Sequence, residues 1–286
     1  MMEVTSTPIY IRKKSNGRIS IKSGNKVERV MKATGLVLFA LTILAFLSFN
    51  YSGLDLTKAV SETVYNLKTM FLEPALSHFT WEEAFYQVGI TLGLAFLSTI
   101  LGAVIAFFLA LMAATNLSNK WISKTVRILV AFVRAVPTVL WVLIFAIAAG
   151  LGSEAAVLGM LFHSIAYLVK AFSEAFEEVD KGILEALTAT GANWWHTVTH
   201  AILPSTFTYL LSWTFLRFEI NFSVAVAMGA AAGAGGIGFE LFMASGFYFD
   251  MREVGLITYM ILILAIILEL TSTRLKSRYF PATSVK

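Results

Sequence analysis

The sequence predicts an all-α polytopic membrane protein with six transmembrane helices, and two observations carry that prediction. Hydrophobic residues make up 57% of the 286 residues and charged residues only 14%, whereas soluble domains carry about 25% charged residues. Apolar runs long enough to cross a bilayer also recur along the chain, and a spanning helix satisfies its own backbone hydrogen bonds in lipid. The mean hydropathy of +0.75 agrees with this class.

The composition also excludes several kinds of function. The chain has no cysteine, so a disulfide, a thiolate metal site and a cysteine nucleophile are excluded. The sequence pI of 9.2 does not indicate nucleic-acid binding, because basic residues beside apolar spans are what membrane topology requires. Neither a GxxxxGK[ST] phosphate-binding pattern nor an HExxH pattern occurs, so we expect a chain that is not itself an enzyme.

The first 49 residues combine a basic tail with the first apolar run. Residues 1–32 carry eight Lys and Arg residues, and residues 33–49 are apolar. A secretory signal peptide has a shorter basic region and a small-residue cleavage site. We therefore predict a cytoplasmic basic tail followed by a retained first transmembrane helix. Binding of the tail to anionic lipid is the alternative to a purely topological role.

Residues 50–86 form a predicted extracytoplasmic segment of mixed, mildly acidic composition. Apolar side chains between Leu67 and Trp81 suggest a short interfacial helix within it. The transmembrane core follows over residues 87–271. Its five predicted spans are residues 88–114, 128–149, 155–169, 205–232 and 254–270. Residues 272–286 form a predicted cytoplasmic C-terminal tail.

The distribution of basic residues predicts the sidedness of these spans. Six spans with both ends inside leave four cytoplasmic segments, which carry eight, three, two and four Lys and Arg residues, 17 of the 22 in the chain. The predicted outer segments carry three, and Arg134 and Arg217 lie within spans. This bias follows the positive-inside rule and places both termini and the long segment of residues 170–204 in the cytoplasm.

That segment holds a spaced pattern between the fourth and fifth spans. It resembles the cytoplasmic loop of importer-type ABC transporter permeases, which reads EAA, three residues, Gly, nine residues, I-x-L-P. The matching residues are Glu185, Ala186, Leu187, Gly191, Leu203 and Pro204. Leu187 replaces the second Ala and Ala201 replaces the Ile, both mild apolar exchanges. The resemblance implies that these residues couple the chain to an ATPase, with Gly191 in a turn between two short helices. Trp194 and Trp195 either anchor that interface or pack the loop on the bilayer.

The fifth span contains the charged stretch Arg217-Phe-Glu-Ile-Asn. A charge in mid-membrane costs about 2.5–3.5 kcal/mol on insertion scales, so such residues face a partner or a water-filled path. Arg217 and Asn221 are four residues apart and share a helix face. Glu219 points elsewhere, and Arg134 of the third span is its expected partner. All four residues are candidates for a substrate path, and a purely structural ion pair is the alternative.

A glycine-rich segment, Gly233-Ala-Gly-Gly-Ile-Gly238, follows the fifth span. It matches the GxGxxG dinucleotide pattern literally, but that pattern works only between a strand and a helix, and here a predicted span precedes it. We therefore reject nucleotide binding. We expect a flexible or tightly packed helix end where backbones approach closely, with a role in the gate as the alternative. The candidate residues are Gly233, Gly235, Gly236 and Gly238.

The Arg–Glu–Asn stretch and the glycines together resemble phosphonate-uptake permeases, which show R-x-E-x-N before a VGAGGIG-like segment. Methionine importers share the glycine-rich element, so Arg217, Glu219 and Asn221 favour phosphonate. Ala231 and Ala232 replace the usual Val, which leaves phosphite or another small phosphorus oxyanion open. A permease for another solute such as methionine, or a membrane subunit for assembly or sensing, remains the alternative.

The resemblance also implies the partners of the chain. They are a second permease chain, identical or paralogous, a dimer of ABC ATPase subunits and an extracytoplasmic substrate-binding protein, all at a bacterial cytoplasmic membrane. ATP and Mg would be bound by the ATPase, and this chain would hold no cofactor. ATP binding would draw the cytoplasmic helices together and switch the spans from inward-facing to outward-facing.

Overall fold

The computed structural model describes residues 9–13, 19–23, 26–49, 53 and 55–279. The remaining residues lie outside the described part of the chain, so the predictions for those pieces of the two tails and of the 50–86 segment stay predictions. The chain divides into two compact units, residues 1–61 and 62–286, and each is described by itself.

The first unit holds a β-hairpin and one long helix. Strands β1 (Ile9–Lys13) and β2 (Ile19–Ser23) pair antiparallel with Ile11 opposite Ile21. The all-α prediction did not include this hairpin. Helix α1 (Lys26–Ser48) has 23 residues, about 35 Å at 1.5 Å per residue, which is enough to cross the bilayer core. It confirms the first predicted helix but begins earlier, inside the basic tail.

Helix α2 (Leu56–Leu72) begins in the first unit and ends in the second. The predicted interfacial helix between Leu67 and Trp81 is therefore wrong in position. Pro74 explains the difference, because proline disfavours the helical conformation in the residue before it and Glu73 is that residue. Residues 73–80 form an irregular connection to the next helix.

Helices are the regular secondary structure of the second unit's described residues. Its helices are α3 (Trp81–Ala113), α4 (Lys120–Ala135), α5 (Thr138–Ala149), α6 (Ser153–Glu177), α7 (Lys181–Ala189), α8 (Trp194–Thr197), α9 (Leu203–Ala232), α10 (Ile237–Gly246) and α11 (Met251–Tyr279). A π-helical turn (Val198–Ile202) joins α8 to α9 without a break. By length and composition, five helices of the described chain can cross a membrane, or six if the bent pair α4–α5 counts as one span.

The third predicted span is not one straight helix. Helices α4 and α5 meet at 90°, and the 12 residues of α5 span only about 18 Å. Pro137 causes the break, since it lacks an amide hydrogen and forces Val136 into extended backbone (φ −88°, ψ 125°). The prediction of a continuous helix over residues 128–149 is therefore corrected.

Helices α3, α6 and α9 pack against one another in the centre of the second unit. Small residues bring them close: a Cβ on Gly102 of α3 would lie 2.9 Å from the Ser164 Cβ of α6. We call the end where α3 and α6 stop and α8–α9 starts the coupling end. We call the other end, where α9 stops and α10 and α11 start, the glycine end.

Candidate functional site

The coupling segment, residues 178–202, contains one short helix, α7, and the first turns of the continuous helix that begins at Trp194, with Gly191 between them. The second of the two short helices expected from the motif is therefore the start of a long one. The Asp180 side chain accepts a hydrogen bond from the Gly182 amide at 2.6 Å and so caps α7. Gly191 has φ +80°, and the Ala192 amide after it donates back to the Leu187 carbonyl at 3.2 Å. This is a glycine-terminated helix end, and it confirms the turn expected at Gly191.

The motif residues differ in what they can contact. Glu185 and Ala186 are exposed, whereas Leu187 is half-buried. The Trp194 indole donates to the Leu117 carbonyl at 2.9 Å, which ties α8 to the loop after α3. Trp195 stacks edge-on against Trp194 at 4.7 Å and is 57% exposed. The two tryptophans therefore divide the roles: Trp194 holds the segment on the bundle, and Trp195 stays on its surface.

Pro204 lies inside a continuous helix rather than at the start of one. Helix α8, the π-helical turn and α9 together run from Trp194 to Ala232. A proline in such a helix clashes with the carbonyl four residues earlier and removes one hydrogen bond. The π turn absorbs this, because the Leu203 amide next to it donates to the Val198 carbonyl five residues back.

Arg217 is buried in the middle of the bundle. Only 2% of its surface is exposed, and its Nε donates to the Ser164 hydroxyl at 3.0 Å. Its guanidinium carbon lies 5.3 Å from the centroid of the Tyr167 ring, a cation–π distance. Its Nη2 is buried without a hydrogen-bond partner, and an unpaired buried donor is costly. In this conformation the guanidinium retains binding capacity that the chain itself does not use.

Asn221 completes the same cluster, as the four-residue spacing predicted. Its amide nitrogen lies 2.8 Å from both the Thr99 and the Ser164 hydroxyls and 3.3 Å from that of Ser98. Its Oδ1 is buried and has no partner. Nearby, His163 of α6 also has a buried, unpartnered Nδ1. Arg217, Asn221 and His163 therefore each have a buried polar atom without a hydrogen-bond partner among the described residues.

The expected pair between Glu219 and Arg134 does not form. Glu219 is half-buried, and no ion pair joins it to Arg134 among the described side chains. Arg134 lies on α4, which packs against α3 and α6, and its guanidinium carbon lies 5.9 Å from the centroid of the Tyr167 ring. Arg134 and Arg217 thus share one aromatic ring, and Glu219 belongs to another face of α9.

The glycine-rich segment is a tightly packed turn rather than a linker. Gly233, Gly235 and Gly236 all have positive φ, and helix α10 follows at once instead of a loop. The Gln87 side chain of α3 accepts from the Gly236 amide at 2.9 Å and donates to Glu240 at 2.9 Å. The Thr91 hydroxyl accepts from the Ile237 amide at 2.9 Å.

Close packing explains the glycines at the other positions of this end. A Cβ on Gly238 would overlap the Val226 carbonyl, and a Cβ on Gly229 would lie 2.7 Å from the Gly235 carbonyl oxygen. Gly233, by contrast, has open space around it. The expectation of a tightly packed helix end is confirmed, and a role in the gate stays a prediction.

The sequence did not predict a hydrogen-bonded cluster at the glycine end, formed by Ser77, His78 and the buried Glu253, which we call the pin. Glu253 is fully buried, and its carboxylate accepts from the Ser77 and His78 amides at 3.1 and 2.9 Å. Its other oxygen lies 2.7 Å from His78 Nδ1, and the His78 ring stacks on Tyr248 at 3.9 Å. The partners are about 175 residues apart, so no local pattern could have indicated them.

Asp250 lies beside this pin and caps α11. Burial opposes ionisation of Asp250, but the Ser77 side chain, the backbone amides of Glu253 and Arg252, and His78 together hold its pKa below the ordinary value of 3.8. His78, Asp250 and Glu253 each place one potential metal-ligand atom within 4.8 Å of the others. Because both Glu253 oxygens already accept hydrogen bonds, the observed arrangement is that of a hydrogen-bonded pin.

These features define a multi-pass membrane protein: apolar helices long enough to span a bilayer, a buried polar cluster and an exposed helical segment at one end. The particular family follows from comparison, because residues 102–283 match the family described as binding-protein-dependent transport system inner membrane component. The chain belongs to that family, and the resemblance to importer-type ABC permeases is confirmed.

Two relatives come from Stutzerimonas stutzeri. One, whose name suggests a phosphite transport system permease, is 36% identical over 151 residues, covering 52% of this chain and 53% of that protein. A phosphite transport system permease protein is 33% identical over 190 residues, 66% of this chain and 68% of that protein. The match thus spans about half of the first relative's length and about two thirds of the second's.

The fold also occurs among solved structures. An inward-facing structure of a methionine ABC transporter has a TM-score of 0.64 and 20% identity, covering 71% of this chain and 99% of that one. At this identity the likeness shows the fold alone, and it confirms the fold that the resemblance to importer-type ABC permeases implies.

Proposed function

We propose that this chain is the permease subunit of an ATP-driven importer that moves phosphonate, or a similar small phosphorus oxyanion, into the cytoplasm. The single observation that carries the proposal is the buried Arg217 with its unpartnered Nη2, within a chain of the binding-protein-dependent transport family. The names of the two phosphite-related relatives support the same class of substrate.

The partners follow from the family description. A binding-protein-dependent system needs a substrate-binding protein, which would deliver the anion at the glycine end. A dimer of ABC ATPase subunits would dock on the coupling segment and supply ATP hydrolysis with its own bound Mg. A second permease chain, identical or paralogous, would complete the path in a bacterial cytoplasmic membrane, with both termini of this chain on the cytoplasmic side.

The coupling segment would transmit the movement of the ATPase subunits to the membrane helices. Glu185 and Ala186 are exposed for contact with the ATPase, and Leu187 and Gly191 fix the angle between α7 and α8. Trp194, Leu203 and Pro204 belong to the continuous helix that also carries the buried Arg217. Closure of the ATPase dimer would therefore move α9 directly. The chain would contribute the substrate path and the coupling segment, and no covalent chemistry.

Arg217 suits a transient anion contact. Its planar guanidinium offers donors in a fixed fork that matches the oxygens of phosphonate or phosphite. A path must also release its cargo, and in this structure Arg217 is already engaged with Ser164 and Tyr167. Exchange between those internal partners and the anion keeps the contact weak, so high affinity belongs to the binding protein.

Two substitutions at Arg217 test the proposal in proteoliposomes that contain the ATPase and the binding protein. Arg217→Lys keeps the charge and loses the fork, whereas Arg217→Gln loses the charge and keeps some hydrogen bonding. We expect both complexes to assemble and hydrolyse ATP but to import phosphite or methylphosphonate poorly. Arg252→Gln is the control, because Arg252 is an exposed residue paired with Glu73 at 2.8 Å at the glycine end.

Three outcomes count against the proposal. Normal import by both Arg217 variants removes the anion contact, and failure of both to accumulate in the membrane makes Arg217 a purely structural residue. Import of methionine but of no phosphorus oxyanion by the wild-type complex replaces the proposed substrate. Absence of any substrate-stimulated ATP hydrolysis favours an assembly or sensing subunit instead.

A further inference from the structure

The coupling end contains a cavity with a basic lining. It lies between α4 and α6 beside the last residue of α3 and has a volume of about 220 Å³. Three cationic side chains line it, Arg127, Arg134 and Lys170, together with the Ser173 side chain and one carboxylate, Glu174. Its lining is therefore basic, and it is on the side of the bundle where an imported solute would leave.

The charges around the cavity do not cancel. Arg127 pairs with Glu177 at 2.6 Å, and Lys170 pairs with Glu174 at 3.7 Å. Arg134 has no carboxylate partner among the described residues, and its guanidinium lies over the Tyr167 ring. One guanidinium on the cavity wall is thus available to an anion.

Tyr167 connects this cavity to the buried cluster. The Arg134 and Arg217 guanidinium carbons lie 5.9 and 5.3 Å from the centroid of the same ring. Arg217 is buried and has an unpartnered Nη2, while Arg134 is exposed at the cavity. An anion that leaves Arg217 therefore meets a second guanidinium one aromatic ring away, in the direction of the coupling end.

We propose that this cavity is a release site: a second, transient binding site for the phosphorus oxyanion, with Arg134 as its main ligand. The Lys170 ammonium supplies further donors, whereas the Ser173 hydroxyl already donates to the Lys170 carbonyl at 3.0 Å. Tyr167 is a positioning residue that holds Arg134 and Arg217 beside one another. The inference rests on the proposed function, because it needs an anionic cargo. A partly open site weakens the attraction by solvent and salt screening, which suits a site that must empty.

The absence of cysteine in the chain allows the charge at position 134 to be removed and restored. The variant Arg134→Cys is purified with the ATPase, modified in detergent with a cationic or an anionic methanethiosulfonate reagent, and reconstituted with the binding protein. Lys124→Cys, treated identically, is the matched control, because Lys124 is a cation of the same helix that does not line this cavity. The wild-type complex treated with both reagents reports any effect on the partner proteins.

We expect unmodified Arg134→Cys to import phosphite at least about tenfold more slowly, as for the loss of one charge-assisted hydrogen bond. The cationic reagent should restore import and the anionic reagent should not, a difference that a purely structural role would not produce. Lys124→Cys should be unaffected by either. Equal import by all forms of Arg134→Cys, or equal loss with both reagents, overturns the release site.

A lipid phosphate offers the same chemistry as the free oxyanion, so a second measurement separates the two sources. The rate of thiol modification in Arg134→Cys is followed with and without phosphite, in phosphatidylcholine vesicles and in vesicles containing phosphatidylglycerol. Protection by phosphite in both lipids supports the release site. Protection by phosphatidylglycerol alone makes the cavity a lipid site and overturns it. If wild-type complex imports no phosphorus oxyanion, the proposed function itself fails, whereas normal wild-type import with an unaffected Arg134→Cys removes the release site alone.

Discussion

The two ends of the second unit are built on opposite principles. At the glycine end, backbones touch and a buried carboxylate is saturated with hydrogen bonds, as at Gly238 against Val226 and at Glu253. At the coupling end, ion pairs are partly exposed, Trp195 is on the surface, and Gly191 has free space around it. The comparison shows that one end is fixed by the chain's own packing, while the other leaves its groups for partners.

The largest effect should come from adding a side chain where backbones touch at the glycine end. Gly238→Ala places a Cβ on the Val226 carbonyl, and close-packed backbone cannot yield without moving α9 against α10. We expect this variant to fail to accumulate or to melt far below the wild type in fluorescence-detected gel filtration. Gly233→Ala is the control: it has open space and incurs only the positive-φ cost of about 1–2 kcal/mol. Equal melting of the two variants would contradict the tight packing.

The next largest effect should come from Gly191, where a substitution should uncouple ATP hydrolysis from import without unfolding the protein. Gly191 has φ +80° but no atom within 4 Å of its Cβ position, so Gly191→Leu incurs a conformational cost of about 1–2 kcal/mol and no clash. We expect ATP hydrolysis without import, because the angle between α7 and α8 changes. Gly191→Asn should keep most of the import, since asparagine tolerates this conformation. Normal import by Gly191→Leu would count strongly against the coupling role.

A smaller effect is expected at the pin. Glu253→Gln retains an acceptor for the Ser77 and His78 amides but loses the charge that faces the His78 ring. The free energy of unfolding should fall by about 1–3 kcal/mol. Glu73→Gln breaks the exposed pair with Arg252 and should cost no more than about 1 kcal/mol. If Glu253→Gln and Glu73→Gln melt at the same temperature, the pin contributes no more to stability than an exposed ion pair does.

The smallest disturbance should come from single cysteines, which show which end of the second unit lies in the cytoplasm. Ala186→Cys at the coupling end should resist an impermeant thiol reagent in intact cells, whereas Asn66→Cys on α2 should react. Both positions are exposed in this chain, so burial within the chain does not confound the comparison, and Ser98→Cys, which is buried, gives the background. Reversal of the two labelling results would overturn the predicted topology.

The sequence was sufficient to predict five of the six apolar spans and the turn at Gly191, because both depend on local patterns. Helix ends were less predictable, since α3 extends to a capping box formed by Thr80 and Glu83 at the polar boundary of its apolar run. The break at Pro137 had a signal that was available in the sequence, because the residue before a proline leaves the helix.

Tertiary contacts account for what the sequence could not show. The glycines by themselves are typical of a linker. The hydrogen bonds from the Gly236 and Ile237 amides to Gln87 and Thr91 of α3 fix the turn, and those contacts cannot be predicted from the glycines. The Glu219–Arg134 pair was inferred from charge alone, and the positions of α4 and α9 decide against it. The pin of His78 and Glu253 joins residues with no local relation at all.

The continuous helix from Trp194 to Ala232 has a mechanical consequence. Its 39 residues form a rod of about 58 Å, whose far tip accepts a hydrogen bond from Gly152 at 3.0 Å. Under the proposed function, a tilt of a few degrees near Trp195 would become a displacement of several ångströms at Ala232. The π-helical turn before Pro204 is where the regular α-helical hydrogen bonding of this helix changes, so the stiffness of that turn would set how much of the tilt reaches Ala232.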